Sequence, residues 1–308
     1  MGINRRYIEG HVLPYIGKMK IKDIKPAYLQ KLVYKWHDKY KQYDYIRKMA
    51  SQVFKYGVSL ELIDSNPMAK TLLPRKKDEQ TSLKFWTKEQ LIKFLQATKE
   101  YGNPKFIAFF RLLAYTGMRK GEALALNWGD IDLFKHKVHI HKTIAMDEFN
   151  KHYLENTPKT RNSIRTITID IETVKTLMKW KNEQRERFLY RGINTNKPEQ
   201  LVFSSERILK DGSINSILSP SLANGWMNSI IMQYNAKQTK EEDKLPKITI
   251  HNLRHTHVSI LLEAGVPIKE VSERVGHKDS KITLEIYAHV SEKQEEKSAE
   301  IFANYMAL

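Results

Sequence analysis

Apolar residues recur along this chain mostly at helical spacing, and the places where that spacing breaks divide it. From Pro104 the run Phe106, Ile107, Phe109, Phe110, Leu112 and Leu113 is apolar nearly all round, which predicts a helix central to a core and ending at Gly117. Residues 4 to 60 read as short helices: Tyr7 through Tyr15 ending at Gly17, Ala27 through Trp36, and Tyr43 through Val58. Pro26 fits a first helical turn, and Asn66-Pro67 closes that unit. Residues 171 to 190 form another amphipathic helix, and residues 251 to 264 a further one carrying Leu253, Val258, Ile260, Leu261 and Leu262. The spacing changes to two at Lys137 to Thr143 and again at Arg165 to Ile169, which predicts a small antiparallel sheet across 137 to 170. Between 192 and 246 Gly, Asn, Ser and Pro surround one apolar strand, Leu201-Val202-Phe203, and no chemistry is read from that stretch.

Residues 73 to 82, Leu73-Pro74-Arg75-Lys76-Lys77-Asp78-Glu79-Gln80-Thr81-Ser82, have no apolar period and much charge, as an interdomain linker has. Folded structure restarts at Thr87-Lys88-Glu89-Gln90, a capping box that opens a helix through Ala97. The expected organisation is a helical domain over 1–72, a linker over 73–82 and a second domain over 83–308. The fold class is mainly α with a small antiparallel β-sheet (α+β).

A chain of 308 residues with 41% hydrophobic positions can build two domains with substantial cores. It has no cysteine, which excludes disulfides, thiolate nucleophiles and cysteine-ligated zinc and fits a reducing compartment. Neither a membrane-spanning run nor a signal-peptide h-region is seen, so a cytoplasmic protein is expected. Charge says more: 52 Lys+Arg against 35 Asp+Glu gives +17, which points to a polyanionic partner. Residues 1 to 77 hold 17 basic and 6 acidic residues, a net of +11, leaving 35 minus 29, or +6, for the rest. In that first part Tyr28, Tyr34, Trp36, Tyr40, Tyr43 and Tyr45 interleave with Lys31, Lys35, Lys39, Lys41, Arg47 and Lys48. Aromatic packing inside with basic residues outside suits a small bundle that grips DNA, although an ordinary helical core with a solvated lysine face gives the same pattern. Those six basic residues, with Arg75, Lys76 and Lys77 of the linker, are the candidate DNA contacts.

His251-Asn252-Leu253-Arg254-His255-Thr256 places His251 and Arg254 at i and i+3 on one helix face. Alone, such a pair also describes a solvated histidine beside a surface arginine. A second cluster lies upstream, Tyr115-Thr116-Gly117-Met118-Arg119-Lys120-Gly121-Glu122, where Arg119 follows the apolar helix directly and Glu122 at i+3 can orient it. Downstream come Gly276-His277 and then Tyr287. His251 and His255 at i and i+4, with His257 close by, raise a zinc reading. Against it, Arg254 would lie beside the cation and no carboxylate clusters with the histidines, so neither metal nor cofactor is expected.

The order Arg119, His251-x-x-Arg254, Gly276-His277, Tyr287 resembles that of the tyrosine recombinase (phage and conjugative-transposon integrase) family, over nearly the whole chain. The resemblance implies a two-domain C-shaped clamp, a helical core-binding domain plus a catalytic domain. It also implies site-specific recombination for the integration and excision of a mobile element, through a 3′-phosphotyrosine on Tyr287. Arg119 and Arg254 would neutralise the phosphorane, while His251 and His277 donate to the phosphate or relay protons. A family lysine on the sheet turn matches Lys159 in Pro158-Lys159-Thr160, with Lys151 and Arg161 as nearby rivals, and would be the general acid. Against the family, the first helix reads as clipped, and the basic module many phage integrases carry ahead of it is expected to be absent from this member or trimmed from the chain.

The implied partners are double-stranded DNA attachment sites, further copies of the chain in a tetramer on paired sites, and a small excision factor or host DNA-bending protein. The tail, Ser291 to Leu308, is expected to pack on its own domain or be exchanged in trans. Alternatives are a chromosome-resolving recombinase or strand-swivelling topoisomerase with the same residues, and, in another class, a DNA-binding regulator that has lost catalysis. The presence of Arg119, Lys159, His251, Arg254 and Tyr287 together favours an enzyme.

Overall fold

The computed structural model describes residues 2–74, 84–147, 149–156, 164–209, 212, 214–277, 281–291 and 306. The chain divides into two units, one of Met1–Thr81 with Met146–Lys151 and one of Ser82–Ala145 with His152–Leu308. None of the described helices is long and apolar enough to cross a membrane.

The first unit opens with α1 (Gly2–Tyr7), a π-helical turn (Ile8–Val12) and α2 (Leu13–Ile16), followed by the longer α3 (Pro26–Lys39) and α4 (Tyr43–Ser59). Pro26 starts α3 because its fixed φ suits the first turn and its missing N–H has no partner to lose there. Leu29, Leu32, Val33 and Trp36 follow at i, i+3, i+4 and i+7, one stripe that is buried against Tyr43, Ile46 and Phe54 of α4. Replacing a side chain such as Trp36 by alanine would cost about 3–5 kcal/mol. The expected inward packing of the aromatics holds for Trp36 and Tyr43, but Tyr28 and Tyr34 are exposed, because they fall between the apolar positions of α3. Lys31, Lys35 and Lys39 share the outer face, where Lys35 Nζ stands 4.9 Å from the centre of the Tyr15 ring. Arg47 differs from its expected place among free basic groups. Its Nε donates to Thr71 Oγ1 (2.8 Å) and its Nη2 to the carbonyls of Met68 and Thr71 (3.0 and 2.8 Å), so it holds the unit's own last turn.

In the second unit α5 (Lys88–Tyr101) begins with the capping box, Thr87 Oγ1 accepting from Gln90 N and Gln90 Oε1 from Thr87 N. Then come α6 (Pro104–Thr116) and α7 (Lys120–Ala125). Phe109, Phe110 and Leu112 of α6 are wholly buried, and the Phe109 ring meets Phe110, Phe203 and Trp226 edge-on at 5.2 to 5.5 Å. The chain reverses at Gly117 with φ 62°, where a Cβ would lie 2.5 Å from the His257 ring, so only glycine fits.

The sheet is more divided than the alternation predicts. Strands β1 (Ile131–Asp132), β2 (Lys137–Ile140) and β5 (Arg165–Thr168) form one antiparallel sheet in the order β1-β2-β5, with Val138 opposite Ile167. The residues between form a second pair, β3 (Thr143–Met146) with β4 (His152–Glu155). After α8 (Ile171–Leu189), the stretch that predicted little holds β6 (Ser204–Ser205), β7 (Ser216–Ile217) and the 17-residue α9 (Pro220–Ala236). Finally α10 (Ile250–Glu263), α11 (Ile268–Val275) and α12 (Lys281–Ser291) share a small cluster of Val258, Leu262, Val271, Val275 and Ile286.

Candidate active site

Arg119 leaves the Gly117 reversal as the N-cap of α7, and Glu122 holds it twice. The carboxylate accepts from the Arg119 backbone N–H at 2.8 Å and from Nη1 at 2.8 Å. Nη2 of Arg119 donates to the carbonyl of Gly276 at 3.1 Å. The side chain is nevertheless 40% exposed, which leaves part of its fork open to a ligand.

Glu122 also takes a bidentate pair from Arg165, at 2.8 and 3.3 Å. Burial pushes its carboxyl up, but the hydrogen bond and charge of Arg165 and then the bonds from Arg119 outweigh it, and the net position is below the ordinary value. Sequence reasoning missed Arg165. The signal was there in the parity of the strand, since Arg165 shares the inward face with Ile167 and Ile169, and a charged residue at that register needs a buried partner.

Arg254 is only 2% exposed. Its Nη1 donates to the carbonyl of Gly117 (2.9 Å) and its Nε to Nε2 of His277 (3.2 Å). Nη2 is buried with no hydrogen-bond partner, and no carboxylate pairs with this guanidinium among the described residues. Burial, and then the neighbouring charge of Arg119, pull it down to about 9. Such a cation is costly as it stands, and an anion between Arg119 and Arg254 would relieve it.

The four histidines have separate duties. His277 is pushed down to about 3 by burial and then by Arg254 and Arg119, so it is neutral at neutral pH. Because an arginine can only donate, Nε2 of His277 accepts and Nδ1 carries the proton, which it gives to Thr283 Oγ1 at 2.8 Å. His251 lies on the exposed side of α10 with its ring edge-on to His255 at 4.9 Å. Partial burial of the imidazole, then the charges of Arg254, Arg119 and Lys120, hold it below its ordinary value. His257 gives Nδ1–H to the carbonyl of Ala114 (2.8 Å) and accepts from Arg274 Nε (3.3 Å), and His255 is also buried. Among the described residues no group of three or more His, Asp or Glu side chains could hold a metal ion.

Tyr287 follows the buried Ile286 on α12 and is 41% exposed, one turn after the buried Thr283. The structure thus brings Arg119, Glu122, Arg254 and His277 into one hydrogen-bonded group, with His251 on the helix of Arg254 and Tyr287 on the helix of Thr283. Lys159 and its rival Arg161 lie outside the described residues, as do Arg75, Lys76 and Lys77 and most of the tail. The other rival, Lys151, is exposed. Lys31, Lys35, Lys39, Lys41 and Lys48 are exposed on the first unit.

Residues 84–294 match the model of the phage integrase family, and residues 2–72 that of the phage integrase central domain. The chain belongs to the phage integrase family. It is a tyrosine recombinase, an enzyme that cleaves and rejoins DNA strands. Among its relatives is a XerC-like tyrosine recombinase of Caldanaerobacter subterraneus subsp. tengcongensis, 31% identical over 95% of this chain and 75% of that one. The ICEBs1 integrase of Bacillus subtilis is 30% identical over 81% of this chain and 62% of its own. The fold is also that of the Tn1549 transposon integrase in complex with transposon right end DNA, with a TM-score of 0.73, 20% identity, and coverage of 97% of this chain and 92% of that one.

Proposed function

We propose that this recombinase is the integrase of a mobile element and that it cuts its attachment sites at a phosphate held between Arg119 and Arg254. The buried, unpaired Nη2 of Arg254 beside a second arginine carries this reading, because a bound anion would satisfy the donor that Arg254 leaves unmet and the open part of the Arg119 fork. Tyr287 attacks phosphorus through its hydroxyl oxygen, forming the Tyr–O–P bond of a 3′-phosphotyrosine while the bond to the 5′-oxygen breaks. Neutral His251 takes the tyrosine proton, and Lys159 protonates the leaving 5′-oxygen. His277 supports Arg254 and does not itself donate to the phosphate, since its Nε2 faces the arginine. The phosphotyrosine conserves the energy of the broken ester, so a 5′-hydroxyl from a second duplex can reverse the step and join strands in a new order.

The reaction takes place on double-stranded DNA in the bacterial cytoplasm, with a tetramer on paired sites and a small excision factor or host DNA-bending protein setting direction. Arg254→Ala and Arg254→Lys test the clamp. Each should bind the site duplex within a few-fold of wild type and cleave on the order of 10² to 10³ more slowly, because lysine supplies the charge but not the forked donors. Cleavage by both at the wild-type rate would overturn the phosphate site.

A further inference from the structure

The hydrogen bonds of Arg254 continue past His277 into the helix that carries Tyr287. Ser272 Oγ donates to Thr283 Oγ1 at 3.0 Å, and Thr283 Oγ1 is the acceptor of the His277 Nδ1 proton at 2.8 Å. Thr283 is wholly buried, whereas Ile282 and Leu284 on either side of it are exposed. A hydroxyl at a position that Val would fill with the same shape is justified only by its hydrogen bonds, and here one of them takes the Nδ1 proton that the donation from Arg254 leaves on His277. If that proton moved to Nε2, it would face the Nε–H of Arg254, donor against donor, and the guanidinium would have to turn.

Resting on the reading of Arg254 as a phosphate ligand, we propose that Thr283 is a positioning residue for the cleavage reaction. Arg254 sets the tautomer, and Thr283, by accepting the Nδ1 proton, fixes the plane of the His277 ring and so the direction in which Arg254 presents Nη2. Thr283 lies one helical turn before Tyr287, so the same contact ties the nucleophile's helix to the guanidinium that meets the phosphate. The relay has its other end in α11, where Gly276 turns with φ 70° and gives its carbonyl to Arg119. Each arginine therefore has one of its hydrogen bonds to the consecutive residues Gly276 and His277, and the second of these residues is bonded to Thr283.

The test compares Thr283→Val and Thr283→Ser in the full chain, each also placed in a His277→Ala background. The readouts are covalent adduct formed on a nicked site duplex, duplex binding, and the ¹⁵N spectrum of the histidine rings. Thr283→Val should slow adduct formation on the order of tenfold or more with binding nearly unchanged, and Thr283→Ser should restore most of the rate. In the His277→Ala background the valine should cost nothing further. The His277 ring should be protonated at Nδ1 in the wild type, with that N–H hydrogen-bonded, and in Thr283→Val the Nδ1–H should show the loss of its acceptor. Wild-type rates for Thr283→Val, a Thr283→Ser as slow as the valine, or an equal loss without His277 would each overturn the proposal. The wild-type ring spectrum decides even if Thr283→Val does not fold, since an Nε2–H tautomer contradicts the relay. A wild-type chain with the expected tautomer but no adduct would instead count against the recombinase site itself.

Discussion

Glu122 and Arg165 form a bidentate pair in which both side chains are buried, at 8% exposure or less, and the same carboxylate holds Arg119. One acidic group therefore neutralises a buried strand arginine and aims a catalytic one. Glu122→Gln should remove the charge from both. Losing the charge of Glu122 from this buried pair is expected to cost up to about 3–5 kcal/mol. Thermal melts should show that loss as a clearly lower midpoint, and cleavage measured well below it should also be slower while duplex binding stays close to wild type. An unchanged midpoint would mean that the pair does not stabilise this domain.

Stability should fall with acid in two separate windows. His255 and His257 are each pushed down to about 4 by burial first, aided by His251 in the one case and Arg274 in the other. Unfolded histidine titrates near ~6.5, so below that pH the unfolded chain binds protons the folded chain refuses, and stability drops as pH falls from there toward 4. Glu122 acts lower down. Its folded position is below the unfolded ~4.3, so its contribution is complete above that value and is lost as pH falls through the folded one. Denaturant melts from pH 8 to pH 3 should show the first decline, and His257→Asn should make it shallower, with His255 and His277 keeping their share, whatever its offset at pH 8. A variant with the wild-type slope between pH 7 and pH 5 would contradict the burial account of His257.

Much of this fold could be read from apolar spacing, and the reasons for the exceptions are local. The helix from Pro104 to Gly117 was plain because six large apolar residues ring it and only glycine can take the reversal that follows. α9 was hidden by Asn224, Gly225, Asn228 and Ser229, residues of low helix propensity that its tertiary packing through Ala223, Met227, Ile230 and Ile231 overrides. The β3–β4 pair was merged with the larger sheet because a strand's period does not say which strand it joins. In the site, Arg119, His251, Arg254, His277 and Tyr287 stood out because their order resembles that of the tyrosine recombinase family. Arg165 and Thr283 did not, because what matters in them is a partner 43 residues away in one case and the placing of a histidine ring in the other.

The most direct measurement concerns Tyr287, since every other assignment serves the bond it makes. A duplex carrying the attachment site, nicked so that the released 5′ fragment diffuses away, should leave the wild-type chain covalently attached to the 3′ end of the cut strand. Peptide mapping should place the DNA on Tyr287. Tyr287→Phe loses only the hydroxyl from a side chain that is 41% exposed, so it should fold and bind the duplex as the wild type does and form no adduct. An adduct of undiminished yield in Tyr287→Phe, or one mapped to another residue of the wild type, would contradict the account.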